Sequence, residues 1–241
     1  MKYKETDYHV KQDFDIESLD YSVAEKYKEF ADIFSDTTDS CIFIFDYFKH
    51  NYFYIKSHNE YFCDIPEIIK QPYLFFNQKL HPEDVSFVYR IHHKAFSYVF
   101  ESPQQARKGY KLKYNVRMID NNNLYEMTDI NLYLLETDKK GNIWLAMFVI
   151  RKSDKPFYSV PKITLPDQSF FYFNLNENLM TKLTPSEKTV AQMLMKNKSE
   201  KEVSVFLGKS LNTIKAHRKN IYIKARSHDK YTFQKKMLIE Y

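Results

Sequence analysis

The chain has 241 residues, 44% hydrophobic and 28% charged, which is enough apolar material for one large core or two ordinary ones. Its two cysteines, Cys41 and Cys63, exclude a disulfide framework, and with no CxxC or Cys/His cluster nothing points to zinc, another metal or a cofactor. The net charge of +5 is uneven: residues 183–241 hold 13 Lys and Arg against 5 Asp and Glu, a surplus of 8, while residues 1–182 stand at −3, so a polyanionic partner is expected for the tail.

The polar opening "MKYKETDYHVKQDFD" lacks the pattern of a signal peptide, and no apolar run reaches the roughly 18 residues of a membrane helix. A cytoplasmic protein without membrane contact is expected. Residues 1–39 form an N-terminal segment whose helix spans about 17–36, with Val23, Tyr27, Phe30, Ile33 and Phe34 on one face. "SDTTDS" stops it.

Residues 40–151 mix strands and helices. "CIFIFDYF" and "NYFYIK" read as two strands about a tight turn. "HPEDVSFVYRIHHKAFSYVF" is a helix bringing round Val85, Val88, Ile91 or His92, Ala95, Tyr98 and Val99. Next, Tyr110, Leu112, Tyr114, Val116 and Met118 alternate with polar residues as a half-buried strand, and two more strands follow across "DNNN" and "TDKKGN". Two strands, helices and three antiparallel strands make an α+β domain with a five-stranded antiparallel sheet. Residues 152–182, with Pro156, Pro161 and Pro166, cannot be one helix and read as a linker.

Residues 183–241 are wholly helical in pattern. Thr184, Pro185 and Glu187 form a capping box with a proline at the first helical position, and Leu183, Val190 and Leu194 give the apolar face. Ser199 and Glu202 form a second box, Val203, Phe206 and Leu207 a stripe, and Gly208 ends that helix. Ser210 caps a third helix only two residues later, so the two cross steeply as a helix-turn-helix. On the third helix Ile214, His217, Ile221 and Ala225 share the core side. Asn212, Lys215, Ala216, Lys219 and Ile223 share the other, with Arg218 and Tyr222 at the edge. Long cationic donors beside a small Ala suit a major groove. A fourth helix, about 228–240 behind Ser227 as N-cap, has Tyr231 and Leu238 on one line and Phe233, Met237 and Tyr241 on another; the second line is the expected dimer contact.

From Leu183 to the end, the segment resembles the LuxR/GerE-type DNA-binding domain of bacterial transcription regulators. Leu183, Thr184, Glu187, Ser199, Glu202, Leu207, Ser210, Thr213, Lys215, His217, Ile221 and Lys224 stand in register with it. The resemblance implies double-stranded DNA as partner, with Lys215, Ala216 and Lys219 facing the groove and Ser210, Thr213 and Arg218 near phosphates, His217 nearby. The departures are Ser186, Asn197, Lys209 and Ala225. The order of elements over about 30–151, with "HPEDV" opening a helix and Asp138-Lys139-Lys140-Gly141-Asn142-Ile143 before the last strand, is similar to a PAS domain. That implies a sensory or dimerising role with an unknown small-molecule ligand and a homodimer overall. His81 reads as an N-cap neighbour, His92 and His93 as partly exposed, Cys41 as inert core. No catalytic set is recognisable, so an enzyme is not expected. A sigma-like module acting through RNA polymerase and an enzyme domain fused to a DNA-binding tail are the rival readings.

Overall fold

The computed structural model describes residues 12–57, 78–120, 122–156, 158–172 and 176–238. Cys63 and Tyr241 lie outside them. The chain divides into two compact units, Met1–Pro156 with Pro161–Phe171, and Phe157–Val160 with Tyr172–Tyr241.

In the first unit, α1 (Tyr21–Thr38) starts at Asp20, whose carboxylate accepts from the backbone N–H of Ser22 at 3.0 Å, and ends at Asp39 in a left-handed conformation. β1 (Cys41–Asp46) and β2 (Asn51–Lys56) form a hairpin. The helix α2 (Pro82–Glu101) opens on His81, whose Nδ1 accepts from the Glu83 N–H, with Pro82 in the first turn. β3 (Lys111–Ile119), β4 (Tyr125–Thr137) and β5 (Ile143–Lys152) follow, all antiparallel. β6 (Lys162–Thr164) and β7 (Phe170–Tyr172) complete a sheet in the order β2-β1-β5-β4-β3-β6-β7.

β1 is buried along its whole length, and is apolar from Cys41 to Phe45, because both of its faces are covered. Ile42 and Ile44 cluster with Ala24 and Ala31 of α1, while Phe43 stacks on Phe148 with ring centroids 4.8 Å apart. The apolar side of β3 is as read from the sequence, with Tyr110 before it and Leu112, Tyr114, Val116 and Met118 all buried, but Asn115 on the other side is buried as well, so the strand is more than half covered. Asp84 ties α2 to β3. Fully buried, it accepts from the Arg117 backbone N–H at 2.9 Å and from Arg117 Nη2 at 2.7 Å. Asp138 organises the β4–β5 turn, accepting from Asn142 N–H at 2.7 Å and from Asp15 N–H at 2.7 Å.

Two expectations change. The sheet has seven strands, because Pro161 and Pro166 rule out a helix yet flank a short strand beside β3 that needs few ladder bonds. On α1 the inward face is Ala24, Tyr27, Ala31 and Phe34, and Phe30 and Ile33 stand 53% and 71% exposed. The small alanines let the helix approach the sheet closely, which turns the bulkier pair outward. His92 is half-buried, in keeping with its reading as partly exposed; its Nε2 lies 2.7 Å from Tyr114 Oη, and desolvation lowers its pKa to about 4.

The second unit is helical: α3 (Glu177–Thr181), α4 (Pro185–Met195), α5 (Glu200–Leu207), α6 (Leu211–Lys224) and α7 (Lys230–Leu238). Both capping boxes are formed, Thr184 with Glu187 and Ser199 with Glu202. α3 was not foreseen. Asn176 caps it and also bonds back to the last turn of α7, its N–H to Met237 O at 2.6 Å and its Nδ2 to Lys236 O at 3.0 Å. The stretch read as linker therefore contributes to both units.

Candidate nucleic-acid interface

Gly208 closes α5 in a left-handed conformation at φ +60°, and Ser210 opens α6 by accepting from the Thr213 N–H at 3.1 Å. The Ser204 hydroxyl, donating to the Lys209 carbonyl at 2.6 Å, pins the turn between them. On α6, Ile214 and Ile221 are fully buried and Ala225 nearly so. Asn212, Thr213, Lys215, Ala216, Lys219 and Ile223 are exposed, as is Ser210, while His217 and Arg218 are half-buried. The structure thus separates one apolar and one cationic side of α6 where the 3.6-residue period puts them.

The first turn of α6 contains no acidic residue, whereas α4 has Glu187 there and α5 has Glu200 and Glu202. An anion approaching the N-terminal end of α6 meets free N–H groups and lysines, and no carboxylate within that turn. Behind the helix, Glu187 fixes its far end. This buried carboxylate accepts from Thr184 N–H at 2.7 Å and from Lys224 Nζ at 2.6 Å, linking the start of α4 to the last turn of α6. Burial alone would raise its pKa, but the bonds from Lys224 and Thr184 outweigh that and hold it below the usual glutamate value.

Other expected residues sit differently. Phe233 and Met237 are fully buried within this unit, Phe233 against Tyr222 with centroids 5.2 Å apart, so neither presents a surface to a second chain as it stands. The N-cap of α7 is Asp229, which accepts from the Thr232 N–H at 2.7 Å, while Ser227 Oγ turns back to the Tyr222 carbonyl. Phe206 does not join Val203 in the core but is 76% exposed beside Val205, because an eight-residue helix packed along one edge buries only a narrow strip. One residue escaped the sequence reading: Glu200, which pairs with Arg218 across the helix-turn-helix at 2.5 Å. Eighteen positions apart on two helices, these two share no periodic signal.

In the first unit, α2 and the sheet enclose a small apolar cleft between Ala95, Phe96 and Val99 on one side and Leu112, Leu132 and Leu134 on the other. No group of His, Cys, Asp and Glu that could hold a metal occurs among the described residues.

Residues 181–232 match the family described as bacterial regulatory proteins, luxR family, and form a LuxR-type helix-turn-helix domain. No curated protein sequence matches the chain. Among solved structures, a phage VqmA in complex with DPO is similar at 14% identity over 88% of this chain and 86% of that one, with a TM-score of 0.30. A Vibrio cholerae VqmA dimer in the absence of target DNA is similar at 12% identity over 90% and 86%, with a TM-score of 0.28. Likeness of this degree assigns no ligand and no residue.

Proposed function

We propose that the protein is a DNA-binding transcription regulator that inserts α6 into the major groove, with a PAS-like unit receiving the signal or pairing two chains. The LuxR-type domain supports DNA as the partner, and the observation that carries the groove assignment is the exposed Lys215–Ala216–Lys219 side of α6. The two lysines reach base acceptors or phosphates, Ala216 lets the helix approach closely, and Asn212 can read an adenine edge. Ser210 and Thr213, at the carboxylate-free N-terminus, suit phosphates. His217 and Arg218 flank this surface.

The proposed active form is a homodimer, since paired half-sites call for paired recognition helices. With Phe233 and Met237 buried, its contact is better sought on the exposed Phe30 and Ile33 of α1. Among the described residues no helix is long and apolar enough to cross a membrane, and the proposed site of action is the DNA of the cytoplasm. No catalytic step and no cofactor enters this proposal.

Selection of duplexes from a random pool by the full chain tests it. The expected product is a sequence with two related half-sites about one helical turn apart. Failure to enrich any sequence would refute a sequence-reading role. A single enriched half-site, with Phe30→Glu/Ile33→Glu leaving the molecular mass in light scattering unchanged, would refute the dimer.

A further inference from the structure

Resting on the reading of α6 as the DNA-facing helix, one ion pair has a consequence for how tightly and how selectively this surface holds DNA. Lys215 and Lys219 have no carboxylate partner among the described residues, whereas Arg218 does. Its Nη1 lies 2.5 Å from Glu200 Oε1, with the two side chains 43% and 19% exposed. The contact is a close ion pair and not an aligned hydrogen bond. Glu200 is the first residue of α5, where its charge also meets the positive end of that helix, so the carboxylate is held in place from two sides.

We propose that Glu200 is an intramolecular stand-in for a DNA phosphate: it occupies the Arg218 guanidinium in the free protein and yields it only to a duplex that places a phosphate at that point. A carboxylate and a phosphate oxygen offer the same acceptor to a guanidinium. Docking of α6 therefore exchanges one anion for another at Arg218, and the site gains little from DNA lying in the wrong register. Lys215 and Lys219 pay no such exchange and attract any duplex. The pair thus lowers background affinity more than affinity for a correctly seated site, which sharpens discrimination.

Because one carboxylate is replaced by one phosphate, Arg218 contributes less than a full counterion to the salt dependence of binding while Glu200 is present. Removing Glu200 frees the arginine to bind as an ordinary phosphate contact. For a partly exposed pair, binding of non-cognate duplex should tighten by roughly two- to fivefold. The slope of log K against log salt should steepen by about 0.9, one further phosphate neutralised.

The test uses the full chain and a fluorescently labelled random-sequence duplex, titrated at several salt concentrations with wild type, Glu200→Gln, Arg218→Ala and the double variant. Glu200→Gln is expected to tighten binding and steepen the slope as above, and to change neither once Arg218 is Ala. Equal tightening in both backgrounds would mean that only the general field of a lost negative charge is at work, and would overturn the proposal. So would no change on Glu200→Gln in the wild-type background. The Ser199–Glu202 box remains to hold α5, and melting by circular dichroism checks the fold. If the glutamine variant melts early, Glu200→Ala, the stronger helix former, repeats the comparison. Absence of binding by the wild type even at low salt would remove the DNA-facing reading itself, and this proposal with it.

Discussion

Replacing Glu187 by alanine should unseat the helix-turn-helix from its support. The side chain is only 3% exposed and makes two bonds, to the Thr184 N–H at 2.7 Å and to Lys224 Nζ at 2.6 Å. Loss of the reciprocal half of the capping box costs about 1 kcal/mol. Loss of a charge-assisted bond to an enclosed carboxylate costs about 2 kcal/mol more. Lys224, a third exposed, can turn to water, so no buried cation is stranded and the sum stays near 3 kcal/mol. Glu187→Gln keeps an acceptor for Thr184 and should cost about half as much. Two probes separate the units. Trp144, the single tryptophan, is buried in the sheet unit and follows only that unit by fluorescence, whereas the ellipticity at 222 nm includes the helical one. In a small helical unit about 3 kcal/mol corresponds to a fall of roughly 12–24 °C in its transition. The expected result is an early helical transition with the Trp144 transition unmoved. A shift below 2 °C in ellipticity would refute the assignment of Glu187 as the tie between α4 and α6. The Glu187 contribution is also pH-dependent: with the folded pKa depressed, it is full above about pH 4.5 and is lost as pH falls through the folded value.

Two further outcomes concern the sheet unit. Asp84→Ala removes the buried carboxylate that pairs with Arg117, keeping the exposed Glu83 pair, and should cost about 3 kcal/mol, lowering the Trp144 transition by roughly 6–12 °C while sparing the helical unit; an unmoved transition would show that α2 is not held by this pair. His92, whose pKa burial lowers to about 4, stays neutral in the folded chain while the unfolded chain takes up a proton near 6.5. Stability of this unit should therefore fall as pH drops from 6.5 towards 4, and His92→Gln should flatten that dependence; an unchanged pH profile in the variant would contradict the neutral imidazole.

The helical unit was largely legible because its signals are local. The caps formed by Thr184 with Glu187, Ser199 with Glu202, Gly208 and Ser210 each act within four residues of the chain, and the α6 faces follow from one period, whereas the Glu187–Lys224 tie is long-range. The apolar side of β3 was legible for the same reason. Contacts between distant elements were not. Phe30 and Ile33 fit the apolar period of α1 as well as Ala24 and Ala31 do, and only the closeness of the sheet selects the smaller pair. β6 and β7 are three residues each, too short for a periodic signal, and β6 exists through its pairing with β3. At the interface, the exposed lysines could be read from spacing, whereas the Glu200–Arg218 pair depends on how α5 crosses α6.

The central claim, that the Lys215–Lys219 side of α6 meets DNA, is tested most directly by the salt dependence of duplex binding for the full chain beside Lys215→Ala/Lys219→Ala. Both lysines are exposed and outside the core, so the variant should melt as the wild type does. If they contact phosphates, binding weakens at every salt concentration and the slope of log K against log salt falls by about 2, one for each lysine. Equal affinity and equal slope for the two proteins would contradict the groove assignment and return this side of α6 to a solvated surface.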